Sequence, residues 1–208
     1  MSDYPRDFEA LSTVVGEPDL QFLAQECIAN QLGVNLNTVE LSDCQVSVFH
    51  SAIATFFAPS DPSGTHGMRR ERICSTPSWR GRKPQRNCAF VVEDADVPGM
   101  AGLNVVQVQL FFSLVYHDVL YPMALVDWFK KGGCDPLTEM WVVHPDVSHG
   151  SRDRTVLHLD SFLRGAHLIP VFGNNELPLD LHFTDSLNAF ERYYVNKYID
   201  HHAHEIIF

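Results

Sequence analysis

Apolar residues recur at helical spacing in two places in this chain, near its two ends, and alternate or run together between them. After Glu17-Pro18-Asp19, a helix start with a proline and acids in its first turn, Leu20, Leu23, Ala24, Cys27, Ile28 and Leu32 share one face. The pattern predicts a helix of about 14 residues, with Gly33 as its C-cap. Residues 1–17, polar and mixed, are expected to be loosely held. Near the other end, Asp185-Ser186 opens a second predicted helix, whose apolar face is Leu187, Phe190, Tyr193, Tyr194, Tyr198 and Ile199.

The stretches between are rich in β-branched and aromatic residues and predict strands. They are Cys44 to Phe57, Cys88 to Glu93, Val105 to Val115, Leu120 to Phe129, Met140 to His144, Thr155 to Leu159 and His167 to Phe172. Turns are expected at Ser60 to Gly64, Asp94 to Gly102, Tyr116-His117-Asp118, Lys130 to Pro136 and Gly173-Asn174-Asn175, and Asp160 or Ser161 can cap a short helical turn through Gly165. Strands so spaced imply a small antiparallel β-barrel or strongly bent sheet with helices at both ends, an α+β fold. The expected organisation is an N-terminal helical segment, 1–43, and a β-rich domain, 44–208, that ends in a helix.

Composition adds one sharp feature. The chain of 208 residues carries a net charge of −11, yet seven of its fifteen Lys and Arg residues lie between His66 and Arg86. They are Arg69, Arg70, Arg72, Arg80, Arg82, Lys83 and Arg86, with Glu71 the sole acid among them, so the window carries +6 and the remainder −17. Such an island sets up a local positive field that the net charge hides. With Pro77, Gly81 and Pro84 inside it, the island is expected to be a long ordered loop or a pair of short strand fragments.

The five cysteines, Cys27, Cys44, Cys74, Cys88 and Cys134, are odd in number and widely spaced, which argues against a CxxC zinc site or a disulfide framework and suits a reducing compartment. The N-terminus has no basic start followed by an apolar run, and no apolar stretch approaches the roughly 20 residues of a membrane span, so an intracellular protein is expected, with a nuclear location open.

Several long runs resemble a known family. Phe49-His50-Ser51-Ala52, Phe57 through Ile73 and Ser75-Thr76-Pro77-Ser78-Trp79-Arg80-Gly81 are similar to the C-terminal region of fungal transposon-encoded proteins of the Plavaka type. So are His158-Leu159-Asp160-Ser161, Leu163 through Gly173, and Tyr194 through His202. The resemblance covers roughly residues 44–208. It implies that the family's nuclease-like catalytic core lies outside this region, and it implies no activity for the region itself. Val105 to Phe129, closing on Ala124-Leu125-Val126-Asp127-Trp128-Phe129, resembles the barrel of bromo-adjacent-homology domains, which are chromatin readers.

Each constellation has a chemical reading and a structural one. The island's Arg69, Arg70, Arg72, Arg80, Arg82, Lys83 and Arg86 can contact phosphates, with Trp79 free to stack on a base. They can equally pair with the protein's own surplus carboxylates. His201, His202 and His204 are weak metal candidates: His201 and Glu205 share a helical face, and His204 needs another. Trp128, Trp141, Tyr116 and Tyr121 would suit an aromatic cage for a methylated lysine or a packed core. His158 and His167 read as hydrogen-bonded core histidines. No GxSxG, HExxH, GxGxxG or Walker pattern is present, so no catalytic residue and no cofactor is expected.

The sequence therefore predicts a non-catalytic binding module of a transposon-derived protein, meeting DNA, RNA or chromatin through the basic segment. The alternative is a protein-interaction scaffold whose basic segment is paired internally or docks an acidic chain, with a metal-dependent enzyme as the outsider. No membrane partner is expected.

Overall fold

A computed structural model describes residues 4–60, 64–78, 84–172, 181–182 and 186–208. The chain opens with two helices, α1 (Phe8–Val15) and α2 (Leu20–Leu32). The second matches its sequence pattern: Leu20, Ala24 and Ile28 are buried at four-residue spacing, and Gly33 takes the left-handed C-cap conformation at φ 64°. The first replaces the loosely held segment expected there. Asp7 caps it by accepting from the Ala10 N–H at 2.8 Å, and Phe8 and Leu11 bury one face, which is enough to fix an eight-residue helix against the sheet.

The expected strand over Cys44 to Phe57 is two strands, β1 (Val46–Phe49) and β2 (Ser51–Phe57), separated at His50. There the chain leaves one sheet and joins another: β2 pairs along its whole length with β3 (Met68–Thr76), which pairs in turn with β4 (Gln85–Arg86). The basic island thus contains strand fragments, the second of the two forms its sequence allowed. Next come β5 (Cys88–Val92), β6 (Leu103–Tyr116) and β7 (Val119–Cys134). The turn between β6 and β7 is the one expected, with His117 and Asp118 both left-handed at φ 49° and 61°. Strand β7 continues through the turn expected at Lys130, because Gly132 and Gly133 form a bulge in its pairing rather than a reversal.

The chain goes on through β8 (Trp141–Pro145), β9 (Val147–Ser148), β10 (Ser151–Arg152), β11 (Arg154–His158), β12 (Phe162–Ala166) and β13 (Leu168–Pro170). It ends in a four-residue helix α3 (Ser186–Ala189), β14 (Tyr193–Val195) and α4 (His201–Ile207). A continuous last helix is therefore not what forms. Tyr193 and Val195 bury alternate side chains in the sheet, and the strand period wins over a helical spacing that the aromatic residues only imitate.

Among the described residues, seven strands run in the antiparallel order β12-β5-β6-β7-β8-β14-β13. The two end strands, β12 and β13, are joined by His167 alone, so the sheet curls into a nearly closed barrel. The fold is α+β, with helices at both ends.

Three cores explain why β5 is apolar throughout and why β6 passes from alternation into an apolar run after Gln109. Phe90, Val105, Phe129, Val143, Tyr193 and Val195 fill the barrel with Ala203 and Ile207 of α4. On the opposite faces of the same strands, Ala89, Val91, Val106 and Val108 pack under Ile73, Ala52 and Ala54 of the β2–β3 hairpin. Beyond the bulge between Val108 and Leu110, β6 and β7 extend past the barrel, and Leu110, Phe112, Leu114, Met123 and Leu125 pack against Leu11, Leu20 and Ile28 of α1 and α2. Strands covered on both sides lose their polar alternation. No helix among the described residues is long and apolar enough to cross a membrane.

Candidate functional site

Strand alternation divides the island. Along β3, Arg69, Glu71 and Ile73 face the barrel, whereas Met68, Arg70 and Arg72 face solvent. On β2 the inner row is Ala52, Ala54 and Phe56, and the outer row is Ile53, Thr55 and Phe57. Arg86 is exposed on β4. Trp79, Arg80, Arg82 and Lys83 lie outside the described residues.

The inner row meets a buried charge network. Arg164 of β12, with 2% of its surface exposed, donates from Nη1 and Nη2 to both carboxylate oxygens of Asp200, at 2.8 and 2.6 Å. Arg69 approaches the same carboxylate at 3.5 Å. Glu71 lies 3.4 Å from Arg164 Nε, an ion-pair distance without hydrogen-bond alignment, and accepts from the Gly165 N–H at 3.2 Å. That N–H belongs to an end strand of the barrel, so Glu71 satisfies it where no further strand pairs. The Arg164 guanidinium also stacks on Phe56, 4.9 Å from the ring centroid. Hence one bidentate pair and its neighbours hold the hairpin to the barrel and to α4, whose N-terminus Asp200 caps through the Ala203 N–H.

His202 completes the network. Its ring stacks on Phe56 at 4.6 Å, and its Nδ1 lies 3.2 Å from Arg164 Nη1. A guanidinium only donates, so Nδ1 accepts and the imidazole is neutral with its proton on Nε2. Burial, reinforced by the Arg164 charge, lowers the His202 pKa. Hydrogen bonds from Arg164 hold the Asp200 carboxyl down at about 2.

Gly165 makes room for this contact. A Cβ there would lie 2.9 Å from Glu71 Oε1 and 3.1 Å from its Cδ, and the carboxylate is already fixed by two partners. Gly165→Ala is therefore expected to cost about 1–3 kcal/mol in urea denaturation. An unchanged midpoint would mean that Glu71 does not sit against β12.

The other constellations resolve differently. His201, His202 and His204 face different neighbours: His201 is exposed beside Ser60 and Glu205, His202 faces Arg164, and His204 stacks on Phe208. The described residues contain no group of three or more His, Cys, Asp or Glu that could hold a metal ion. Ser60 Oγ and Glu205 both lie 3.0 Å from the same ring nitrogen, Nδ1 of His201, whereas a catalytic relay uses opposite nitrogens. The four aromatics do not form a cage: Tyr116 and Tyr121 belong to the helix-covered core, Trp141 packs on the barrel interior, and Trp128 packs under the hairpin and donates to Thr155. His158 caps the turn at Asp160, and His167 bonds Asn196. Burial raises the Cys88 thiol to about 12 and the Cys27 thiol to about 11, away from thiolate chemistry. An open trough of about 630 Å³ is lined by Trp128, Lys130, Lys131, His144 and Asp146, but both lysines are spent on acids, Lys130 on Asp146 at 2.6 Å and Lys131 on Glu93 at 3.4 Å.

The residues that sequence reasoning missed are Arg164, Asp200 and Glu71. Their signals were present: an acid directly before the terminal helix is a cap, and an Arg-Gly pair in a strand marks close approach. Fold and site together define a barrel protein that carries an ion-paired hairpin with one charged outer face. Comparison with known proteins finds no matching family model, no matching curated protein and no matching solved structure.

Proposed function

We propose that this chain is a non-catalytic binding module that contacts nucleic acid through the outer face of the β2–β3 hairpin. The observation that carries the reading is the pair Arg70 and Arg72. Both are exposed, and neither forms an ion pair with an acid among the described residues, in a chain with eleven more acids than bases. Among the described residues Arg72 donates to Ser51, a neutral neighbour. Cations left unpaired in an acidic body are available to phosphates. Arg69 serves the interface from behind, by holding the hairpin to Asp200. The resemblance to transposon-encoded proteins and to chromatin-reading barrels agrees with a partner in the nucleus, DNA, RNA or chromatin.

The Arg69–Asp200 pair also favours a second reading, a protein-interaction scaffold in which part of the island is internal structure. A salt titration of oligonucleotide binding separates the two. Arg70→Ala/Arg72→Ala is expected to weaken binding and to flatten the slope of log K against log salt by about 0.7–0.9 per lost phosphate contact. Its melting temperature should stay within a degree or two of the parent, because both side chains are on the surface. Unchanged affinity removes the nucleic-acid reading and leaves the scaffold. Arg69 is kept in this variant, since its loss would perturb the hairpin's attachment.

A further inference from the structure

We infer that the nucleic acid this face takes is single-stranded, an inference that rests on the reading above. The two arginines do not stand alone on the outer face. Ile53 lies opposite Arg72, Thr55 opposite Arg70 and Phe57 opposite Met68. Phe57 is 62% exposed, Ile53 45% and Met68 42%. Arg70 and Arg72 are two residues apart on one strand, about 7 Å. The result is a short flat surface with two cations along one strand and an aromatic ring and two aliphatic side chains around them.

Phe57 is held in place. Its ring lies over Gly67, where a Cβ would come within 2.7 Å of it, and the Ala58 N–H closes the hairpin end on the Gly67 carbonyl at 2.7 Å. Gly67 has φ 76° and carries no side chain, so the ring rests on backbone on one side. A fixed, exposed ring next to cations is a stacking platform for a base.

A duplex cannot use this platform, because its base faces are stacked inside and only phosphates, sugars and base edges are exposed. A free two-stranded ribbon can enter a major groove about 12 Å wide. This ribbon is not free: Phe56, Ile73, Ala52 and Ala54 and the Arg164 network fix its inner face on the barrel. With a second layer about 10 Å behind it, the ribbon is too thick to sink into the groove. An unpaired strand can instead lie across the face, placing a base on Phe57 and adjacent phosphates by Arg70 and Arg72.

The experiment uses the full chain and fluorescence anisotropy with a labelled 20-nucleotide single-stranded DNA, the RNA of the same sequence and the corresponding DNA duplex, each at two salt concentrations. Either single strand is expected to bind at least about tenfold more tightly than the duplex. Phe57→Leu, which keeps an apolar side chain on Gly67 but removes the flat ring, should weaken single-strand binding about 5- to 100-fold and leave the salt slope unchanged. Met68→Ala, a milder change at the opposite position, should weaken it in the same direction. A melting temperature matching the parent certifies the fold of each variant. Duplex bound as tightly as single strand, or Phe57→Leu binding like the parent, overturns the single-strand inference while leaving phosphate contact intact. Binding by neither polymer, or full competition by poly-glutamate at equal charge, overturns the nucleic-acid reading itself in favour of an acidic protein partner.

Discussion

Asp200→Ala is expected to lower the stability of this protein by about 3–5 kcal/mol, the cost of leaving a buried charge without its partner. Arg164 has almost no surface in water, and Asp200 supplies both of its short hydrogen bonds. Its other neighbours are Glu71 at a poorly aligned 3.4 Å, a neutral imidazole and a phenyl ring, which together do not replace a bidentate carboxylate. The same substitution removes the cap of α4, whose Ala203 and Ile207 close the barrel interior. The double variant Asp200→Ala/Arg164→Met should recover part of the loss, because an apolar side chain of similar length leaves no charge to desolvate. Urea denaturation of the parent, the single and the double variant gives the comparison. A double variant no more stable than Asp200→Ala would show that the loss comes from the cap and not from the stranded guanidinium.

What was legible in the sequence depended on how local the determining interaction was. Helix α2 announces itself through Leu20, Ala24, Ile28 and Gly33, all within one stretch of chain. The β6–β7 hairpin does so through a turn and two runs that need only each other. The terminal strand β14 did not, because Tyr193 is spaced from Phe190 and Leu187 as a helix would space it, and only the neighbouring strands β8 and β13 decide otherwise. The charge island was visible as composition, but its division into an inner and an outer row follows from the register of β3 against β2, which no single-strand pattern reveals. His202 is one of the three metal candidates, and Asp200 directly precedes that run. Their partner Arg164 is 36 residues from Asp200 and buried, and it reaches them only because β12 ends one side of the barrel seam.

The same network should make stability fall in two steps as pH is lowered. The His202 pKa is below the ordinary value of 6.5 in the folded protein, because burial and the adjacent Arg164 charge oppose a second positive charge, while the Asp200 and Glu205 carboxylates oppose that shift and Arg69 adds to it. The unfolded chain therefore takes up the proton first, so the stability His202 contributes is complete above about pH 6.5 and is lost as pH falls below it. Asp200 acts in a lower window. Its carboxyl sits at about 2 against an ordinary 3.8, held there by hydrogen bonds from Arg164, so its contribution is complete above about pH 4 and lost between pH 4 and 2. At 1.36 kcal/mol per pK unit, and allowing for screening at its exposed edge, the second step is on the order of 1–2 kcal/mol. Urea midpoints between pH 8 and 2 measure both. His202→Gln, which keeps an acceptor beside Arg164 without a titrating ring, should shrink the first step and spare the second, and Asp200→Asn should flatten the second. A His202→Gln profile that declines between pH 7 and 5 as steeply as the parent would remove His202 from the pH response. Because Arg164, Asp200 and His202 lie where the hairpin meets the barrel, the first step should also loosen the hairpin. Amide protection factors in β2 and β3 are expected to fall below pH 6.5 ahead of those in β6 and β7.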